Sequence, residues 1–228
     1  MTDLFVQIDT ETTGLNPHTT DLLLEIQVFA SEPVYPYKRL DDGFHAIIKH
    51  DRETAYNTAR PFVQEMHAKT GLWDKLENGT PLEEVDKQLR DYLQKHMDIH
   101  EGRVVGNSVR LDLNAIAKHL PRTYEWLSYR VIDITSIAKW AQLEFGILPY
   151  AKEIAHTALE DIDESMAELR HIRDSIAGSA PINMQEAIDA ATDVLRRNSE
   201  EDPHDLATRY IAVGMSMLRL LEQGAQDD

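Results

Sequence analysis

The sequence predicts an α/β layered domain, a mixed sheet flanked by helices, and three observations carry that expectation. Strand-like segments come first and alternating strands and helices follow, the order of an α/β layered fold. Apolar residues alternate with Glu25 and Gln27 in one early segment, whereas later segments repeat at helical spacing. A hydrophobic content of 42%, with three Trp and eight Tyr among 228 residues, supplies one sizeable core.

The opening strand reads from Leu4-Phe5-Val6-Gln7, and Asp21 to Ala30 reads as the second. Phe44 to Lys49 forms the third, after an Asp41-Asp42-Gly43 turn suited to a hairpin. Pro61 to Lys69 is a short helix ended by Gly71. Thr80-Pro81-Leu82-Glu83 supplies a cap, a first-turn proline and an acid to the next helix. That helix carries Leu82, Val85, Leu89, Tyr92 and Leu93 on one face and runs to about His96. Arg103 to Ser108 is a strand with a turn at its end. A helix from Leu111 to Leu120 follows, stopped by Pro121. Val131 to Ile134 is a further strand leading into a helix from Ser136 to Phe145. Thr157-Ala158-Leu159-Glu160 is a capping box, opening a helix striped by Leu159, Ile162, Met166, Leu169, Ile172 and Ile176. Gly178 to Pro181 reads as a linker before two amphipathic helices. The expected organisation is a domain over residues 1–177 and a helical hairpin over residues 181–228, with no internal repeat.

Composition narrows the function. No apolar run approaches the roughly 18 residues of a membrane span, and no basic-then-apolar leader opens the chain. Cysteine is absent, which excludes disulfides and Cys-based zinc sites and fits a reducing cytoplasm. A net charge of −17 argues against a broad surface tracking long nucleic acid. A small metal-bearing site on a short substrate is compatible with it.

The chain is organised around Ile8-Asp9-Thr10-Glu11-Thr12-Thr13-Gly14-Leu15. Strand side chains alternate faces, so Asp9 and Glu11 project together where the strand runs out into a glycine turn. On these residues alone, a strand end with two solvated acids reads equally well. Asp112, His156 and Asp161 add to the set, each near a strand end or helix start. Four carboxylates and one histidine are costly to assemble without a cation, and oxygen-only ligation suits hard ions such as Mg²⁺ or Mn²⁺. Two such ions are the usual apparatus for in-line attack on a phosphodiester, and an edge histidine can take the proton from the attacking water.

Asp9-Thr10-Glu11-Thr12-Thr13-Gly14-Leu15 resembles the first motif of the DEDDh 3′→5′ exonucleases. Gly106-Asn107-Ser108 with Asp112 is similar to the second, and His156 with Asp161 five residues on is similar to the third. Within that superfamily the chain most resembles the oligoribonucleases, over roughly residues 3–177. The finer likeness lies in His67 to Leu72, Gly106 to Ser108, Tyr129-Arg130 with Asp133 to Ile137, and His156 to Leu169. The resemblance implies a ribonuclease H-like fold and degradation of short single-stranded RNA to mononucleotides. It implies Asp9, Glu11, Asp112 and Asp161 as ligands of two Mg²⁺ or Mn²⁺ ions, and His156 as the general base. Thr12 and Leu15 would meet the substrate, Leu15 as a wedge against its bases, and His67 matches a substrate-contacting histidine. Ser108, Arg130 and Thr135 fall where the family caps a 5′ phosphate, and Tyr129 matches a tyrosine reaching into the partner subunit of a homodimer. Phe62 stands where the family carries a tryptophan and keeps an aromatic face.

The segment around Asp112 departs from the family, with Arg110-Leu111 before it and Leu113-Asn114 after it where a glutamine and basic residues are usual. That departure leaves catalysis intact and argues against a strict dinucleotide preference. Other readings stand beside these: Glu25 as a structural strand acid, His67 as a partly buried helix histidine, Tyr129 as core-edge packing, and Arg130 as a surface ion pair. His45, His50, His96, His100 and His119 read as surface residues. A proofreading-like exonuclease is the rival enzyme, and a catalytically silent binding module the rival of another class.

Overall fold

The structure, a computed structural model, describes residues 4–16, 20–151 and 157–178. Its central strand is β1 (Phe5–Thr12), whose first four residues are buried. β1 pairs antiparallel with β2 (Leu23–Ser31) from Phe5↔Ser31 to Glu11↔Glu25. β3 (Phe44–Ile47) adds antiparallel to β2, while β4 (Arg103–Gly106) and β5 (Val131–Asp133) add parallel on the other side. The order is β3-β2-β1-β4-β5, the mixed sheet expected. β4 pairs with β1 only from Phe5↔Arg103 to Gln7↔Val105, so the carboxylate-bearing end of β1 outruns its parallel neighbour.

Close approach makes that geometry possible. A Cβ at Gly106 would stand 2.9 Å from the Ile8 carbonyl oxygen, so the end of β4 needs glycine there. The register of β1 on β2 shifts between Glu11 and Thr12, and Leu24 falls between the paired residues Glu25 and Leu23. Such a bulge bends the strand and re-aims its last side chains. Leu24 accordingly turns into a cluster with Ala55, Leu72, Trp73 and Leu76, whereas Leu23 joins Val6, Ile8, Ile26, Val28, Leu89, Leu93 and Ile116 in the main core.

The helices are α1 (Arg52–Thr58), α2 (Pro61–Thr70), α3 (Leu82–His96), α4 (Arg110–His119), α5 (Pro121–Trp126), α6 (Ile134–Phe145) and α7 (Ala158–Ala177). Gly71 ends α2 at φ 69°, the left-handed cap its sequence predicts. α3 buries Val85, Leu89, Tyr92 and Leu93 as expected. Thr80 does not cap it: no side-chain bond reaches its first turn. The Thr80 backbone instead bonds Ile47 and Lys49, extending the sheet edge. Pro121 does more than stop α4. It opens α5, since a proline in a first turn forfeits no helical hydrogen bond. α1, which sequence reading left out, is capped by Asp51 accepting from the Thr54 N–H at 2.8 Å. In α7 the buried stripe begins at Ala158, one residue earlier than expected, and continues through Ile162, Met166, Leu169 and Ile172. Leu159 and Ile176 are therefore exposed.

The histidines taken as surface residues are more engaged than that. His50 and His119 donate to the Leu23 and Asp21 carbonyls, and His96 pairs with Asp41 at 3.0 Å. Two compact units separate, one within residues 1–135 and 152–167, the other within 136–151 and 168–228. Every described residue of the candidate site belongs to the first. The expected hairpin over 181–228 lies outside the described residues.

Candidate active site

β1 delivers Asp9 and Glu11 to one face, and the start of α7 brings Asp161 to them. One carboxylate oxygen from each lies within 4.8 Å of the others. Thr157 places α7 by accepting from the Glu160 N–H at 3.3 Å, its own hydroxyl donating to Glu160 Oε2 at 2.5 Å. Arg39 braces the same turn, meeting Asp163 at 2.6 Å and Gln7 Oε1 at 3.3 Å. Asp112, in the first turn of α4, is not among the three. Its Oδ1 accepts from the Thr10 hydroxyl at 2.7 Å, and Asp112 lines a cleft of about 140 Å³ together with Asp9, Thr12, Gly14 and Leu15.

The electrostatics record how crowded these acids are. Burial pushes Asp9 well above the usual carboxylate range, and the charges of Asp112, Glu11, Asp161 and Glu25 push it further. Glu11 is raised to about 8, by burial first and then by Asp161, Glu25 and Asp112. Glu25 stands directly opposite Glu11 in the β1–β2 register, a like-charge pair that costs stability. His45 faces Glu25 at 2.6 Å from the solvent side. Asp112 is raised to about 7 by burial, against the pull of the Thr10 hydrogen bond.

The donor set is oxygen only, several charges deep and partly desolvated, which fits a hard divalent cation. The sign of the linkage follows from the raised values. A carboxyl raised from 4.5 to about 8 on folding stabilises the fold only while protonated. The metal-free protein therefore loses stability as pH climbs from about 4.5 through about 8. Mn²⁺ is expected to restore it, with protons released on binding at pH 7. Thermal melts with and without Mn²⁺ across that range check this. A midpoint that ignores divalent ions yet falls with NaCl would count against the cluster.

Beyond the end of β1 the chain turns sharply. The Thr12 hydroxyl donates to the Gly14 carbonyl at 2.7 Å, and the Asn16 N–H donates to Asp21 Oδ2 at 2.6 Å. A Cβ on Gly14 would meet the Asp21 carboxyl at 2.7 Å, so only glycine lets the turn seat on that acid. The turn presents Leu15 to solvent, 68% exposed at the cleft. Phe62, at the start of α2, is likewise 69% exposed.

His67 lies beside the carboxylates. It is wholly buried, its Nε2 3.3 Å from the Thr12 carbonyl and 3.8 Å from Glu11 Oε2, its ring edge-on to Trp73. In this arrangement it holds the end of β1 beside Glu11 and reaches no solvent. Ser108 and Thr135 do come together: the Ser108 N–H donates to Thr135 Oγ1 at 3.1 Å and the two hydroxyls are 3.3 Å apart. Ser108 holds φ 51°, an uncommon conformation for a non-glycine residue. Tyr129 is 83% exposed, its hydroxyl accepting from Arg130 Nε at 3.2 Å, which overturns the core-edge packing reading. His156 lies outside the described residues.

Sequence reading passed over Thr10, and it noted Leu111 only as a departure. Leu111 is exposed and lines the cleft with Asn107 and Ala115. The helical register of α4 carried the signal for Leu111, immediately before Asp112.

The family model described as Exonuclease (RNase_T) matches residues 6–169. An oligoribonuclease of Tropheryma whipplei is 34% identical over 173 residues, covering 74% of this chain and 91% of that protein. One from Mycobacterium sp. (strain KMS) is 32% identical over 186 residues, covering 79% and 85%. Among solved structures, E. coli exonuclease I in complex with a 5cy-dT13 oligonucleotide superposes with a TM-score of 0.58 at 14% identity. That match covers 76% of this chain and 41% of that one, and bears on the ribonuclease H-like fold alone. The three motifs, the sheet that carries them and these relatives agree: the chain belongs to the Exonuclease (RNase_T) family, as an oligoribonuclease-like DEDDh 3′→5′ exonuclease.

Proposed function

We propose that the protein is a divalent-metal-dependent exoribonuclease that trims short single-stranded RNA from the 3′ end to 5′-mononucleotides. The observation that carries this is the convergence of Asp9, Glu11 and Asp161 within 4.8 Å, with Asp112 on the adjoining cleft. In this reading the four carboxylates hold Mg²⁺ or Mn²⁺. When bound, such ions supply Lewis-acid stabilisation of the charge that develops on the phosphodiester. His156 takes the proton from the attacking water.

The remaining residues position the substrate. Leu15 and Phe62 offer exposed apolar faces for bases, Leu15 as the wedge, and Thr12 shapes the turn that presents it. Ser108, Thr135 and Arg130 offer donors for a 5′ phosphate, which would limit the substrate to a few nucleotides. His67 acts by holding the Thr12 carbonyl. Tyr129, exposed and steadied by Arg130, completes the site of a second copy in a homodimer. Dilution through the dissociation constant then lowers specific activity, and a fully active monomer removes that role. The small cleft and the acidic surface both favour short substrates over long ones. The cysteine-free composition suits a cytoplasmic setting.

The relatives named oligoribonuclease support RNA as the substrate, and a DNA-preferring exonuclease is the rival reading. A time course on 3′-to-5′ trimming of RNA and DNA oligomers of about two to ten nucleotides, with Mn²⁺, decides between them. The expected result is fastest release of mononucleotides from RNA of two to four residues. Faster digestion of DNA decamers would overturn the proposal, and no release from either polymer would favour a silent binding module.

A further inference from the structure

Thr10 lies between Asp9 and Glu11, so on a strand its side chain leaves the opposite face. β4 has stopped pairing by that point in β1, and the first turn of α4 comes up against the free strand end. There the Thr10 hydroxyl donates its one proton to Asp112 Oδ1 at 2.7 Å, joining residues 102 apart in sequence. We propose that Thr10 is a positioning residue, holding the Asp112 carboxylate in the orientation required for ligating a divalent ion.

The inference rests on the metal-dependent reading above and deepens it. Asp112 stands outside the three-carboxylate group and faces the negative charge of Asp9, so repulsion alone would rotate its carboxylate away. A β-branched side chain on a strand has few rotamers, which makes the threonine hydroxyl a fixed anchor. The hydroxyl bond fixes Oδ1 of Asp112, and backbone N–H groups of Thr10 and of Asp112 itself also donate to the carboxylate. One strand thus serves both sides of the site, with Asp9 and Glu11 as ligands on one face and Thr10 orienting a ligand from the other. Outer hydrogen bonds of this kind typically change metal affinity about 10–100-fold.

The test compares Thr10→Val, which keeps the shape and removes the hydroxyl, with Thr10→Ser, which keeps the hydroxyl. Mn²⁺ binding to the full-length protein is read by titration calorimetry and by the metal-induced rise in melting temperature. The expected result is a binding midpoint about tenfold or more higher for Thr10→Val, restored to within about threefold by Thr10→Ser. A Thr10→Val midpoint within twofold of wild type would overturn the proposal, as would Thr10→Ser binding as weakly as Thr10→Val, which would reduce Thr10 to packing. If Thr10→Val fails to fold, Thr10→Ala against Thr10→Ser makes the same comparison. A wild-type protein that binds no Mn²⁺ would overturn the underlying metal reading first, and is distinguished because it fails before any variant is made.

Discussion

Asp112→Asn is expected to abolish exonuclease activity, with a loss on the order of 10²–10⁴-fold or more, while the fold is retained. The magnitude follows from several kcal/mol of charge stabilisation supplied through a ligated metal, at about 1.4 kcal/mol per tenfold in rate. An amide fills the same volume and still accepts the Thr10 hydrogen bond, so packing has no reason to change. Stability should move the other way in the metal-free protein. Asp112 is raised from 3.8 to about 7, so its ionised form opposes folding. The penalty grows as pH climbs between those values, and the asparagine variant escapes it. The variant should melt higher than wild type at pH 8 without metal, the gap shrinking toward pH 4, and should gain less from Mn²⁺. Full activity in Mg²⁺ would remove Asp112 from the site.

Function and stability oppose each other at this site, and that opposition was partly legible in the sequence. The alternation of Asp9 and Glu11 fixed their common face, because a strand allows no other arrangement. The capping sequence at Thr157 placed Asp161 in a first helical turn for the same local reason. What the sequence withheld depends on contacts between distant segments. Nothing near Thr10 says that its hydroxyl will meet Asp112, because that meeting depends on β4 ending two residues short of Asp9 in the sheet. The Glu11–Glu25 opposition likewise required the β1–β2 register, and the bulge at Leu24 could not be read from an unbroken apolar run. The motif match at His67 says nothing of its burial, which the packing of α2 against Trp73 produces beside Glu11. Two other features are local in origin: Asp51 before Thr54 caps α1, and Pro121 opens α5 as a first-turn proline as readily as it stops α4.

His156→Ala is expected to lower turnover by about 10²–10⁴-fold, the usual cost of losing a general base, while leaving Mn²⁺ binding nearly unchanged. The argument comes from chain position: His156 directly precedes Thr157, whose hydroxyl caps α7, and Asp161 follows five residues on, within the carboxylate group. The imidazole must be neutral to accept a proton, so wild-type activity should rise with pH through a limb that depends on His156. Removing the base should flatten the limb, because at this position only the imidazole must be neutral to accept the proton of water. Ionisation of Glu11, raised to about 8 without metal, moves down once a cation is bound, so the limb that survives in the variant reports metal loading and shifts with Mn²⁺ concentration. Two measurements therefore separate the roles: the pH profile at saturating Mn²⁺, and the Mn²⁺ midpoint from calorimetry. A variant that loses metal affinity and rate together would make His156 a ligand. One that keeps both the limb and the rate would leave the proton to another group.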